Sequence, residues 1–432
     1  MAHHAPAVDP AKLRQGLGDL TGTLRVPLLI AGAVGLLAAA LLSLLYGGDA
    51  VKRFLFGYLW AYWFFLTISL GGLFFVMVQH VTRAGWSVTV RRLAEFLAAN
   101  LWVFAPLSLP LVLAVVLFDG AGVWQWADAD YVTNSEVRTL LEHKSPYLNK
   151  TFFLIRCAIY LSVWSFFGWK VASLSKRQDE TGDVGLTQTM HNWSVAGLPL
   201  TFLTVTFAAI DFLMSLTPTW YSTIYGVVII AGCAVSVHAT LAIFVLLLRK
   251  RGLMTEAVTV EHQQDLGKLL FGFIVFWAYV SFSQFLLIWY ADIPEETEYY
   301  LVRFEHGWTF FMGMLLFGHF IIPFLGLMSR HVKRRDATLM FWCVWVLFMH
   351  AVDLYIYIMP RLTHDAVHAA EAAGASAEQL AAIGLPLSLV DLACFVGIGG
   401  FAGATLLTTA AGVSLVPHRD PRLHEALAFH NT

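Results

Sequence analysis

Apolar runs of about 20 residues follow one another down the whole of this chain, and each is long enough to cross a bilayer as a helix. Ten are counted, at about 26–46, 54–80, 93–118, 151–174, 195–216, 222–248, 266–291, 304–329, 337–358 and 386–412. Of the 432 residues 13% are charged and 58% hydrophobic. An average soluble chain carries roughly 25% charged residues, so an ordinary soluble globule is excluded. The expected fold class is an all-α polytopic membrane protein. The net charge of −2 gives no reason to expect a nucleic-acid partner.

Two of the runs share a second feature. Ala209–Pro218 reads Ala-Ile-Asp-Phe-Leu-Met-Ser-Leu-Thr-Pro, and Ala351–Pro360 reads Ala-Val-Asp-Leu-Tyr-Ile-Tyr-Ile-Met-Pro. Each places an aspartate at the same offset before a proline. A carboxylate within a span costs roughly 2.5–3.5 kcal/mol on insertion scales, so matched copies suggest a duplication. The two belong to the fifth and ninth spans, which point the same way. Spans two to five (54–221) and six to nine (222–358) are therefore expected to form two four-helix bundles. The first span (26–53 with its loop) and the last (386–412) would flank them, leaving 1–25, 359–385 and 413–432 outside the hydrocarbon.

Basic residues set the expected orientation. With the N-terminus cytoplasmic, the inner segments hold Lys12, Arg14, Arg25, Arg83, Arg91, Arg92, Lys176, Arg177, Arg249–Arg251, Arg330, Lys333–Arg335, Arg419 and Arg422. The other side has Lys52, Arg53, Arg138, Lys144, Lys150, Arg303 and Arg361. Positive charge favours the cytoplasmic side, so both termini are expected there, with the first span uncleaved. The outer loop from Asp119 to Lys150 carries Asp128, Asp130, Glu136 and Glu142 beside Trp124 and Trp126. It reads as a docking surface for a partner subunit. Ala366–Ala382 reads as a short surface helix, and His364 and His368, at and just before its start, are taken as exposed rather than as metal ligands.

The polar residues inside the spans are the candidate functional groups. Thr201, Thr204, Ala208, Asp211 and Ser215 follow helical spacing on one face of the fifth span. His350, Asp353 and Tyr357 do so in the ninth, and Glu305, Thr309, Met312, Leu316 and His319 in the eighth. Ser281 and Gln284, His238, Asp391 and Arg156 add one or two groups in other spans. By depth, Asp211, His350, Asp353, Arg156, Glu305, His306 and Asp391 fall toward the outer side, and His238 and His319 near mid-membrane. Ionisable groups in spans commonly mark relays or pathways, so Asp211 and Asp353 are expected in proton paths. Arg156 has a second reading, as a structural counter-charge for Asp211. Ser and Thr in spans also bond to their own helix, which makes Thr201 and Thr204 equally readable as structural.

The four cysteines, Cys157, Cys233, Cys343 and Cys394, are spread over four runs, with no C-x-x-C and no C-x-x-C-H. No iron–sulfur site, zinc ribbon or covalent haem is therefore encoded. A b-type haem would need facing histidines at one depth, and His238 and His319 are the mid-span pair.

The stretch Asp211–Gly226, Asp-Phe-Leu-Met-Ser-Leu-Thr-Pro-Thr-Trp-Tyr-Ser-Thr-Ile-Tyr-Gly, resembles a signature of a known family. That family is the second large membrane subunit of bacterial alternative complex III, in the NrfD/PsrC-like superfamily. Phe282–Thr297, His350–Tyr355 and Asp420-Pro421-Arg422-Leu423 are similar to it as well, so the resemblance spans essentially the whole chain. The ending Phe429-His430-Asn431 departs from the acidic residue expected before Asn. The resemblance implies a bacterial inner-membrane complex that oxidises quinol and passes electrons to cytochrome c or a terminal oxidase. It implies partner subunits carrying haem c and iron–sulfur clusters, and a related NrfD-like membrane subunit. This chain would bind no cofactor of its own, with a quinol left open, and would not be catalytic alone. The alternative from another class is a secondary transporter, which also uses repeats and buried acids.

Overall fold

A computed structural model of the chain describes residues 9–128 and 135–431. Asp130 lies outside the described residues, as does the side chain of Glu136. The described residues form helices and connecting turns with no strand. The protein is an all-α polytopic membrane protein. Among the described residues nine helical stretches are long and apolar enough to cross a membrane, and the first of them, Leu20–Val81, is two helices in line. It breaks at Gly47, whose φ of 58° and ψ of −123° lie outside any helix and suit only a residue without a Cβ.

The ten spanning segments are α1 (Leu20–Ser43), α2 (Ala50–Val81), α3 (Val88–Leu117), α4 (Lys150–Thr181), α5 (Gly185–Phe212), α6 (Tyr225–Lys250), α7 (Val260–Ala291), α8 (Trp308–Met328), α9 (Asp336–Ile358) and α10 (Leu389–Ala410). Local chemistry marks their ends. Asn149 caps α4 by accepting from Phe152 N at 2.8 Å, and Gly182 ends that helix with φ +71°. In α3 a 3₁₀ turn, Asn100–Val103, sits just ahead of Pro106. A proline ring crowds the carbonyl four residues earlier, which here belongs to Trp102 inside that turn. In α8 the segment Met314–Ile321 is a π-helix. The expected surface helix begins earlier, at Pro360, and stops at Ala372 before Gly374 (φ +78°); a separate turn of helix, Ala377–Ala381, follows.

Helices α2, α3, α4 and α5 pack in a closed ring, and α6, α7, α8 and α9 pack in a second. The rings meet through α2 against α6, while α5 also touches α6 and α9 touches α2. Exchanging the two rings maps these contacts onto one another, as expected for duplicated bundles. Helices α1 and α10 pair along their length and lie against α2 and α3. The α2–α6 contact is close because Gly71 faces the backbone: a Cβ there would stand 2.3 Å from the Cys233 carbonyl oxygen. Gly71→Val is expected to destabilise the protein by about 1–3 kcal/mol through overpacking, read as a lower melting temperature in detergent. An unchanged melting temperature would contradict this approach of the bundles.

The first and last described segments lie at one end of the helices, where Leu415 N donates to the Gln15 carbonyl at 2.8 Å. Arg91 and Arg92, expected in a loop, are in the first turns of α3 and buried. Arg91 bonds Glu95 (3.1 Å) and Asp420 (2.5 Å), and Arg92 bonds Asp179 (2.5 Å) and lies in ion-pair range of Glu95 (3.0 Å). The Asp420-Pro421-Arg422-Leu423 tail is thereby tied to the end of the first bundle. The four cysteines are buried and unpaired.

Candidate functional site

In the first bundle Asp211 ends the polar face of α5 and is 0% exposed. Arg156, one turn and a half into α4 and 5% exposed, grips it with two bonds: Nε to Oδ2 at 2.8 Å and Nη2 to Oδ1 at 2.7 Å. Tyr160, one turn further along α4, donates to Oδ2 at 2.7 Å. The guanidinium's Nη1 donates to the Tyr147 carbonyl at 2.8 Å, and its plane lies 3.8 Å from the Tyr147 ring. Both carboxylate oxygens are engaged and the charge is matched. A two-bond guanidinium–carboxylate pair of this kind is the strong form of the interaction. Of the two readings of Arg156, the geometry has that of the counter-charge.

The remaining α5 candidates are also satisfied locally. Ser215 donates to the Asp211 carbonyl at 2.5 Å. Thr204 donates to the Leu200 carbonyl at 2.8 Å and accepts from Trp164 Nε1 at 2.9 Å. The Thr201 hydroxyl lies 3.8 Å from the Met77 sulfur. This stripe holds helices together.

The second bundle is arranged differently. Asp353 is 1% exposed and accepts from Trp277 Nε1 of α7 at 3.0 Å on Oδ2, while Oδ1 has no partner. Tyr357, one turn on, faces the same carboxylate. One turn back, His350 Nε2 lies 2.9 Å from the Thr67 hydroxyl of α2. That hydroxyl spends its own proton on the Phe64 carbonyl at 2.9 Å, and a hydroxyl has one proton to give. His350 Nε2 is therefore the donor, and Nδ1, buried without a partner, is a free acceptor. His319 comes in from the π-helical part of α8, stacked on Trp277 with ring centroids 3.9 Å apart and 18° between planes. Neither of its ring nitrogens has a partner. A π turn carries an extra residue and re-aims a side chain.

Arg303, just outside α8, is a buried cation at this end, and it is used otherwise than Arg156. It donates to the Tyr299, Ile356 and Tyr357 carbonyls at 2.6, 3.1 and 3.4 Å and stacks 3.4 Å over the Tyr299 ring. It thus closes the C-terminus of α9 and leaves Asp353 without a bonded counter-charge. Burial raises the phenols of Tyr299 and Tyr300 above their ordinary range and keeps them protonated. Gln284, singled out in α7, bonds the Tyr300 hydroxyl at 3.0 Å and accepts from Ser222 at 2.9 Å.

Three expectations need correction. Glu305 and Thr309 are exposed, and Glu305 precedes the helix in a turn where His306 and Gly307 have φ of 48° and 86°. The even spacing that linked Glu305, Thr309, Met312, Leu316 and His319 fails because α8 starts at Trp308 and is π-helical from Met314; of the five, His319 alone is buried. Trp124 is not a docking residue: it is 0% exposed and donates to the Phe212 carbonyl at 3.3 Å, while Trp126 packs on Phe153. A tryptophan in an outer loop that folds back over a bundle finds more apolar area there than in water. Arg53, counted as a loop charge, is buried and pairs with Asp391 of α10 at 2.6 Å.

His364 and His368 share a helix face with Nε2 atoms 3.0 Å apart, and His368 also pairs with Glu371 at 3.2 Å. Among the described residues no group of three or more His, Cys, Asp or Glu side chains is placed to hold a metal. His238 bonds the Ala234 carbonyl of its own helix at 2.6 Å and stacks on Phe273.

Trp277, Tyr160, Thr67 and Arg303 escaped the sequence reading as partners. Tyr160 follows Arg156 by four residues, and Trp277 precedes Ser281 and Gln284 by four and seven, so both were legible as same-face positions. Thr67 carries no such signal. No protein-family model matches the chain, and no curated protein does.

Proposed function

We propose that the chain is a membrane subunit of a bacterial quinol oxidoreductase that passes electrons to cytochrome c or a terminal oxidase. In this reading haem c and iron–sulfur clusters belong to partner subunits, a related membrane subunit sits alongside, and this chain supplies a proton path and an assembly scaffold. The observation that carries it is the second bundle's core: a buried acid, Asp353, with a free oxygen and no bonded cation, near two histidines with free ring nitrogens. Such groups can take up and release protons, and a buried site with that property is a relay candidate. Asp211, locked to Arg156, serves the scaffold instead. The basic end that gathers both termini is assigned to the cytoplasm of the bacterial inner membrane.

Purification in mild detergent tests the reading. The tagged chain is expected to bring down multihaem and iron–sulfur subunits, with the characteristic haem c absorption. A chain that purifies alone and, in vesicles, moves a solute against its gradient would overturn it and establish the transporter.

A further inference from the structure

The helix Pro360–Ala372, which follows α9, carries His364, His368 and Glu371 on one face. Nε2 of His364 lies 3.0 Å from Nε2 of His368, while the ring centroids are 4.2 Å apart and the planes inclined by 66°. The two nitrogens are therefore the facing edges of the rings. His368 Nδ1 lies 3.2 Å from a Glu371 carboxylate oxygen. A carboxylate only accepts, so in the neutral ring Nδ1 carries the proton and His368 Nε2 keeps a free lone pair. His364 Nε2 is then the donor in the contact between the rings, and its Nδ1 is buried with no partner. Burial, and the charge of Arg361, hold the His364 imidazole below its ordinary range, so that ring stays neutral. The pair can be reached from outside, because the His368 side chain is 61% exposed. His368 also lines a cleft of about 320 Å³ with Asp119, Asp128 and Asp365 against one cation, Lys52.

We propose that His364 and His368 bind one divalent transition-metal ion of the imidazole-preferring kind, such as Zn²⁺, through their two Nε2 atoms. Metal–imidazole bonds of about 2.0–2.1 Å put two such nitrogens about 2.9 Å apart at a right angle and about 3.4 Å apart at the tetrahedral angle. The 3.0 Å separation falls within that window, so the ion enters with little movement of either ring. It takes the lone pair of each Nε2, and the proton on His364 Nε2 moves to Nδ1. His364 also lines a pocket of about 40 Å³ with Glu295 and Glu298, which has room for a water to accept from that N–H. Glu371 already holds His368 in the tautomer a metal requires, in the carboxylate–histidine–metal order that orients a ligand and raises its basicity. Two protein ligands leave the remaining positions to water, unlike a closed structural zinc site with four. The cleft's aspartates accept from those waters and supply negative charge for a dication. Ca²⁺ and Mg²⁺ are disfavoured because they take oxygen ligands. Binding requires no partner subunit and is independent of the proposed function.

The test uses the full chain in detergent, purified on a tag without histidine, stripped with a chelator and titrated with Zn²⁺ alone. Bound metal is counted by equilibrium dialysis, and variants are compared with the wild type because the chain's other histidines set a background. His364→Ala and His368→Ala are each expected to bind one equivalent fewer than the wild type, and the double variant is expected to lose that same single equivalent. Glu371→Gln is expected to keep the site but weaken it by about tenfold, the effect of removing a carboxylate behind a ligating histidine. An excess of Mg²⁺ is expected to leave the bound Zn²⁺ in place. His368 is exposed and alanine is a good helix former, so the melting temperature of the metal-free protein should not fall in His368→Ala, which serves as the control for folding. Equal metal content in His368→Ala and the wild type overturns the proposal and leaves a hydrogen-bonded histidine pair. A double variant that loses two equivalents, or an unchanged affinity in Glu371→Gln, overturns it as well.

Discussion

Arg156→Ala is expected to reduce the amount of folded protein in the membrane to a small fraction of normal. The change strips Asp211 of two hydrogen bonds and its only bonded cation while leaving it 0% exposed. Removing one member of a buried pair costs about 3–5 kcal/mol, comparable to a large part of the roughly 5–15 kcal/mol that holds a typical protein folded. Arg156→Lys should recover part of the loss only, because an ammonium cannot make the two parallel bonds. The double change Arg156→Met with Asp211→Leu should recover more, since it removes both charges and fills the space with apolar atoms. Yield and melting temperature in detergent read all three. If Arg156→Ala melts like the wild type, the pair does not hold α4 to α5 and Asp211 returns as a relay candidate.

Asp353→Asn is expected to leave folding intact and to abolish proton-coupled function. The amide oxygen still accepts from Trp277, and no buried cation is orphaned, because none is bonded to Asp353. What is lost is the capacity to bind and release a proton, for which a positioned acid or base typically accounts for roughly 10²–10⁴-fold in rate, so a loss of about a hundredfold or more is expected. The measurement is quinol oxidation and proton release by the purified complex in vesicles, with yield as the control. Normal yield with normal proton release would remove Asp353 from any path. Asp211→Asn is the companion: it should assemble poorly, in contrast with Asp353→Asn. Should it instead assemble well and lose proton release, the working acid lies in the first bundle.

The difference between the two aspartates was hidden in the sequence for a physical reason. Both sit in apolar helices at the same offset before a proline, and linear spacing fixes which residues share a face of their own helix. It does not determine which side chain of another helix meets that face. Arg156 precedes Asp211 by 55 residues and Arg303 precedes Asp353 by 50, yet the first guanidinium points into its bundle and the second turns to the carbonyls at the end of α9.

Hydropathy and the doubled Asp-to-Pro segment were sufficient for the fold class, the ten spans and the grouping into two rings of four, because each depends on local properties: helix length against membrane thickness, and repetition along the chain. The same holds for the helical stripes around Asp211 and Asp353. The stripe on α8 was misread where local geometry departed from the α-helix, since a π segment shifts every later residue to another face. Tertiary structure alone decided the rest. It turned Trp124 from its loop into the first bundle, joined Arg53 to Asp391 across 338 residues, set Thr67 against His350 across 283, and left Asp353 with a free oxygen. These are contacts between distant segments. Their existence depends on how whole helices pack, which no window of sequence contains.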